Sequence, residues 1–130
     1  MSKFVADTMA FVLWLEKRKM PVKAKAKFQS AEKAEVEILV PALVFAEIAY
    51  LSENNRIDTN LEEAKRALAK NKNIKEYPMT FETVRNAFEI DDIPELHDRL
   101  VAGAAKELNA EIISNDPEIE QSVHVHTIWK

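Results

Sequence analysis

The chain has 130 residues, 47% of them hydrophobic and 31% charged, which fits one globular domain spanning residues 1–130 and excludes a disordered tail or a fibre. A single glycine, Gly103, and no cysteine exclude a Walker-type phosphate loop, a dinucleotide GxGxxG turn, a GxSxG nucleophile elbow, a disulfide scaffold, a thiolate zinc site and a thiol nucleophile. The net charge of −4 and a pI near 5.4 argue against nucleic-acid binding through overall basicity and leave room for a local basic patch.

Phe4, Val5 and Ala6 read as a short strand ending at Asp7. The stretch from Met9 to Glu16 has apolar residues at three and four spacing with Lys17 to Lys19 behind it, a helix pattern. Asp7-Thr8 stands where the helix cap belongs. This opening run is too short and too interrupted to span a membrane, and it lacks the basic start and small-residue cleavage site of a signal peptide. A cytoplasmic protein with no membrane partner is therefore expected. Residues 17–27 carry six basic side chains, Lys17, Arg18, Lys19, Lys23, Lys25 and Lys27, and no acid; Val22 to Lys27 reads as helix or loop.

Val36 to Val40 is a strand running into Pro41, and proline suits the first position of the apolar helix Pro41–Leu51. Leu61 to Lys70 is a charged amphipathic helix, and Ile74 to Met79 a short extended piece. Thr80 caps a helix through Phe88, with Phe81, Val84 and Phe88 aligned. After the break at Asp91–Pro94, Glu95 to Asn109 is helical, with Leu96, Leu100, Ala104 and Leu108 at spacing four. Glu111 to Ser114 is a strand, Asp116-Pro117-Glu118 opens a helical turn, and Val123 to Trp129 is a last strand. Strands alternating with helices predict an α/β fold, a three-layer α/β/α sandwich around a mostly parallel sheet.

With no thiol available, hard chemistry falls to carboxylates, histidines, hydroxyls or lysines. Glu47 is the only charge between Pro41 and Leu51. Its helical neighbours Leu43, Val44, Tyr50 and Leu51 offer no partner. It therefore needs a cation, either a basic side chain or a metal, or else a helix edge in water. Asp98 falls at the edge of its helix's apolar stripe, beside the small run Val101 to Ala105; the plain alternative is an exposed acid beside Arg99. Asp7 and Asp116 each follow a strand and can be read simply as helix caps. Together they carry more. Ligands of an open parallel sheet bind beyond the carboxyl ends of its strands, and acids gathered there suit a hard cation such as Mg²⁺ or Mn²⁺. Such a cation can activate water for attack on a phosphodiester.

Asp7-Thr8, the helix Pro41-Ala-Leu-Val-Phe-Ala-Glu47-Ile-Ala-Tyr-Leu, the segment Ile93-Pro-Glu-Leu-His-Asp98-Arg-Leu-Val-Ala and Ile112-Ile-Ser-Asn-Asp116 together resemble a PIN domain, most nearly the small VapC-like ribonuclease toxins of prokaryotes. The resemblance covers nearly the whole chain in order. It implies an α/β/α sandwich and Mg²⁺- or Mn²⁺-dependent endoribonuclease activity. Asp7, Glu47, Asp98 and Asp116 match the family's catalytic, metal-holding acids; Ser114 and Thr8 match supporting hydroxyls. Metal-activated water would hydrolyse RNA to a 5′-phosphate and a 3′-hydroxyl, and the enzyme would be the toxin of a type II toxin–antitoxin pair with a cognate antitoxin as partner. One departure lies before the last core strand, where the family often has glycine and this chain has Asn109-Ala110; asparagine tolerates the left-handed backbone of such a turn.

The basic residues Lys17, Arg18, Lys19, Lys23, Lys25 and Lys27 are candidates for RNA contact, against the plainer readings of a solvated face or an antitoxin contact. His124 and His126 would share one face of the last strand, but two histidines do not make a zinc site. His97 could serve as a base, though in the resemblance the metal takes that role. Trp14, Phe45, Phe81, Phe88 and Trp129 read as core or interface, and apolar helices of this kind suit a homodimer. The rivals are an RNA-processing nuclease of the same fold without an antitoxin, a non-catalytic binding module with an acidic crevice, and a phosphoacceptor receiver-like domain, which lacks its expected late lysine.

Overall fold

In the computed structural model, which describes residues 1–130, the apolar runs pair side by side into one five-stranded sheet. Its strands are β1 (Lys3–Ala6), β2 (Glu37–Pro41), β3 (Ile74–Tyr77), β4 (Glu111–Ile113) and β5 (Thr127–Ile128). Their order is β3-β2-β1-β4-β5, and every pairing is parallel. Val5, Ala6, Ile38, Val40, Ile74, Ile112 and Ile113 are wholly buried. Continuous rather than alternating burial is what a parallel sheet covered on both faces requires.

Seven helices cover it. The strand-to-strand crossovers carry α1 (Thr8–Leu15), α2 (Val22–Glu32), α3 (Ala42–Glu53) and α4 (Leu61–Lys70), which pack against one another. The second group is α5 (Phe81–Phe88), α6 (Leu96–Leu108) and the single turn α7 (Pro117–Glu120); α6 packs on α5, α7, β1 and β4. The α/β sandwich expected from the sequence is thus present, with its sheet parallel throughout.

Helix starts follow the chemistry of their caps. Asp7, Asn60, Thr80 and Asp116 each accept a backbone amide of the following turn, which satisfies donors the helix itself cannot. Thr80 and Thr83 close a reciprocal capping box. At the other end of α6, Asn109 takes the left-handed conformation, with φ of 52°; this is the role expected of it in place of glycine.

Val101 to Ala105 of α6 are all buried. Their small size lets α5 approach so closely that a Cβ built on Gly103 would lie 2.6 Å from the Ala87 Cβ. The one glycine is therefore set by close packing, not by a turn.

Several local expectations are settled or corrected. Val22 to Glu32 is a helix, settled by alanine's propensity and by Ala24, Phe28 and Ala31, which face the core. Pro41 ends β2 and precedes α3 with an extended backbone. The last strand contains only Thr127 and Ile128; His124 and His126 lie in the turn before it, so they share no strand face. The stripe Phe81, Val84 and Phe88 and the first leucine of α6, Leu96, face outward. The core side of these helices is made instead by Thr83, Ala87 and the small run of α6.

Candidate functional site

The site forms where the sheet order reverses, beside β1, whose neighbours β2 and β4 lead in opposite directions; such a switch point leaves a crevice past the strand ends. The Asp7 amide donates to the Ile113 carbonyl at 3.3 Å, so the ends of β1 and β4 are tied together. Asp7 then caps α1, its Oδ1 accepting from the Ala10 amide at 2.9 Å. Past β4, the Asp116 amide donates to Ser114 Oγ at 3.0 Å. The Asp116 carboxylate accepts from the amides of Glu118 and Ile119.

Glu47 comes in on α3 and is half-buried. It has no basic partner; the Thr8 hydroxyl donates to its Oε1 at 2.5 Å. Asp98 comes in on the first turn of α6, where its amide donates to the capping carboxylate of Glu95 at 2.8 Å. Asp7, Glu47, Asp98 and Asp116 thus line one crevice of about 370 Å³, together with Thr8, Met9, Leu51, Val101 and Asn115.

The crevice has no basic lining residue, so its negative charge is uncompensated. Burial pushes the Asp7 carboxyl up to about 6; the Ser114 hydroxyl and Ala10 amide oppose this, and the charges of Asp116 and Glu47 add to it. Asp98 rises to about 7, first through burial, then through the charges of Asp116 and Glu95. An all-oxygen donor set that resists carrying its own charge is what a hard divalent cation relieves. The residues present fit such an ion.

The family model of the PIN domain matches residues 4–122. This chain belongs to the PIN domain family. Among solved structures, this PIN domain is similar to VapBC2 from Rickettsia felis bound to a promoter DNA fragment, with 17% identity, TM-score 0.75 and coverage of 98% of this chain and 99% of that one. VapBC from Salmonella typhimurium bound to DNA matches at 14% identity and TM-score 0.70, covering 98% of each chain. Mycobacterium tuberculosis VapC20, a Sarcin-Ricin loop cleaving toxin, matches at 14% identity and TM-score 0.63, covering 95% and 98%. A comparison with curated proteins finds no match.

The PIN fold brings together the four acids and Thr8 and sets Ser114 behind them. It does not bring the basic candidates there. Lys17, Arg18 and Lys25 line a separate groove of about 590 Å³ with Arg66 and Lys70. It lies past the C-terminal end of α1, whose eight residues span about 12 Å from the crevice. Lys19 and Lys23 are exposed, and the Lys27 ammonium lies 4.8 Å from the Phe4 ring centroid.

Sequence reasoning missed Asn115, Met9, Leu51 and Val101 as crevice lining; their closeness to the four acids in sequence was the available signal. It also missed the exposed trio Asp91, Asp92 and His124, whose ligand atoms lie within 4.8 Å of one another and could hold an ion. Those side chains already serve the local turn. Asp92 accepts from the Ser122 hydroxyl and the Val123 amide, and Asp91 pairs with His124 at 3.0 Å. His97 is exposed and pairs with Glu95.

Proposed function

We propose that this chain is a divalent-metal-dependent endoribonuclease, the toxin of a type II toxin–antitoxin pair, folded as one PIN domain and acting in the cytoplasm. The observation that carries the reading is the convergence of Asp7, Glu47, Asp98 and Asp116 in a crevice with no cation of its own. PIN domains are generally nucleases. The neighbours support the finer reading, since two are VapBC pairs and the Mycobacterium tuberculosis toxin cleaves a defined RNA loop.

The four carboxylates would hold Mg²⁺ or Mn²⁺, which when bound supplies Lewis acidity and neutralises charge on the phosphodiester. The chain's own contribution is placement. Thr8 points one Glu47 oxygen by donating to it. Ser114 holds the backbone at Asp116 and faces Asp7. The charge of Asp116 acts on Asp98 and helps raise its carboxyl, and a proton held on Asp98 must leave before its oxygens can act as ligands. Fixing these groups on strand ends and helix starts removes most of the motion that would blur the geometry.

The basic groove around Lys17, Arg18 and Lys25 joins five cations to Glu32 and Glu63 over an apolar floor that includes Trp14 and Phe28. That surface suits an acidic amphipathic segment of an antitoxin better than the RNA strand being cut, because it lies away from the acids. A homodimer completes the reading.

The test is cleavage of a panel of structured RNAs by purified protein with Mn²⁺, Mg²⁺ or EDTA, beside Asp98→Asn prepared identically. Metal-dependent cuts that vanish in the variant are the expected result. Cuts that persist in the variant or in EDTA overturn the assignment, as does binding of RNA with no cleavage across the panel.

A further inference from the structure

Seven of the eight asparagines in the chain have a local task. Asn54, Asn71, Asn73 and Asn86 each donate to a backbone carbonyl, and Asn60 accepts a backbone amide as a helix cap. Asn55 and Asn109 take the left-handed backbone, with φ of 55° and 52°, which asparagine tolerates better than most residues. Asn115 has neither reason to be there. Its backbone is not left-handed. Its exposed side chain takes no part in the hydrogen bonds of its turn, which run between Ser114 and Asp116 and from Asp116 into α7.

The Asn115 carboxamide opens instead onto the acid crevice. Sorted by hydrogen-bond chemistry, the crevice lining is nearly all acceptor. Its four carboxylates accept when ionised. Met9, Leu51 and Val101 are apolar, and the Thr8 hydroxyl is engaged by Glu47. Asn115 is therefore the one lining side chain that offers free N–H donors. Its backbone is held on both sides. The Ser114 amide donates to the Ile128 carbonyl at 3.2 Å, and Asp116 is fixed by its own amide bond to Ser114 and by capping α7.

We propose that Asn115 is a substrate-binding residue whose side-chain amide donates to a non-bridging phosphate oxygen of the RNA strand lying across the four acids. The inference rests on the nuclease reading above and assigns a further residue to it. A phosphodiester brings an anion to a site lined with carboxylates, which repel it. A divalent ion offsets part of that repulsion, and the remaining phosphate oxygens still need donors in place of the water they lose. Asparagine is among the side chains that contact nucleic-acid phosphates by hydrogen bond. Being neutral, it does so without ion-pairing to Asp98 or Asp116, as a lysine there would, and it leaves all four carboxylates for the cation. The other role open to the side chain is to turn its oxygen toward the cation, and the metal arm of the test separates the two.

The test uses the full chain and the RNA of the panel that it cuts fastest. Asn115→Ala should raise KM for that RNA about 10–100-fold, the scale of a lost hydrogen bond to a charged group, and change kcat by less than about threefold. Asn115→Asp keeps the shape but replaces the donor with another carboxylate, and should raise KM further. Both variants should melt with the wild type by circular dichroism, because the side chain is exposed. Mn²⁺ affinity by calorimetry should be unchanged in Asn115→Ala and equal or tighter in Asn115→Asp. A KM for Asn115→Ala within about threefold of wild type overturns the inference and leaves the nuclease standing. So does a loss of Mn²⁺ affinity in Asn115→Ala, which would make the carboxamide a metal ligand. A wild-type chain that cuts no RNA of the panel overturns both.

Discussion

Asp7 and Asp98 hold protons at a pH where an ordinary aspartate is fully ionised. A divalent ion must displace those protons, so its binding weakens as pH falls through about 7 and then about 6. Titration calorimetry with Mn²⁺ should therefore show tighter binding at about pH 8 than at about pH 5.5, with proton release on binding in between; equal affinity at both would contradict the placement. Asp98→Asn removes a ligand charge and should cost at least about 100-fold in cleavage while leaving the fold intact. Thr8→Val removes the hydroxyl that aims Glu47 without touching a carboxylate. Its expected cost is about 10–100-fold in metal affinity or activity, the usual effect of losing such a support. A Thr8→Ser variant, which keeps the donor, should recover most of it.

At the scale of elements, the contact between α5 and α6 is set by the absence of a side chain. In Gly103→Ala, the new methyl would meet the Cβ and backbone of Ala87, and a packed interior yields poorly to such crowding. A loss of about 1–3 kcal/mol in urea unfolding is expected, and Ala87→Gly in the same chain should restore part of it. The segment after α3 is held by one carboxylate: Glu16 accepts from the amides of Asp58 and Thr59 and from the Thr59 hydroxyl. Glu16→Ala should leave those donors unmatched, costing about 1–3 kcal/mol. Amide exchange at Asp58 and Thr59 should then quicken well before that of the sheet.

For the whole molecule, the acid crevice sets how stability responds to pH and metal. Acids whose pKa is raised by folding bind more protons folded than unfolded, so the contribution of Asp7 and Asp98 to metal-free stability is complete below the ordinary carboxylate range and is lost as pH rises through about 6 and about 7. Glu16, Glu37, Glu89, Asp92 and Glu95 are shifted the opposite way. Their contribution is lost at low pH and complete above the ordinary carboxylate range, so it is level between about pH 5 and about pH 8. The melting temperature in EDTA should therefore be lower at about pH 8 than at about pH 5, and Mn²⁺ or Mg²⁺ should recover it at the higher pH. A melt insensitive to both would mean that the crevice holds no ion.

The local order of strands and helices was legible in the sequence because it depends on short-range causes. Branched apolar runs form strands, and Asp7, Thr80 and Asp116 cap the helices that begin just after them. The left-handed turn at Asn109 was legible for the same reason. The four acids could be singled out because carboxylates at strand ends, or alone on an apolar helix, are costly without a partner. What no local pattern could settle was which apolar residues meet one another. Phe81, Val84 and Phe88 have the spacing of a core stripe, yet they face water, since small residues on α6 accept Ala87 and Thr83 instead. The basic run from Lys17 to Lys27 could be read as RNA contact, solvated face or antitoxin contact, and only the packed structure places Lys17, Arg18 and Lys25 in a groove separate from the acids. His124 and His126 lost their shared face once the last strand began after them. Burial and distance are properties of all the packed elements at once, so the convergence of Asp7, Glu47, Asp98 and Asp116, and the upward shift of the Asp7 and Asp98 carboxyls, were decided by the tertiary structure alone.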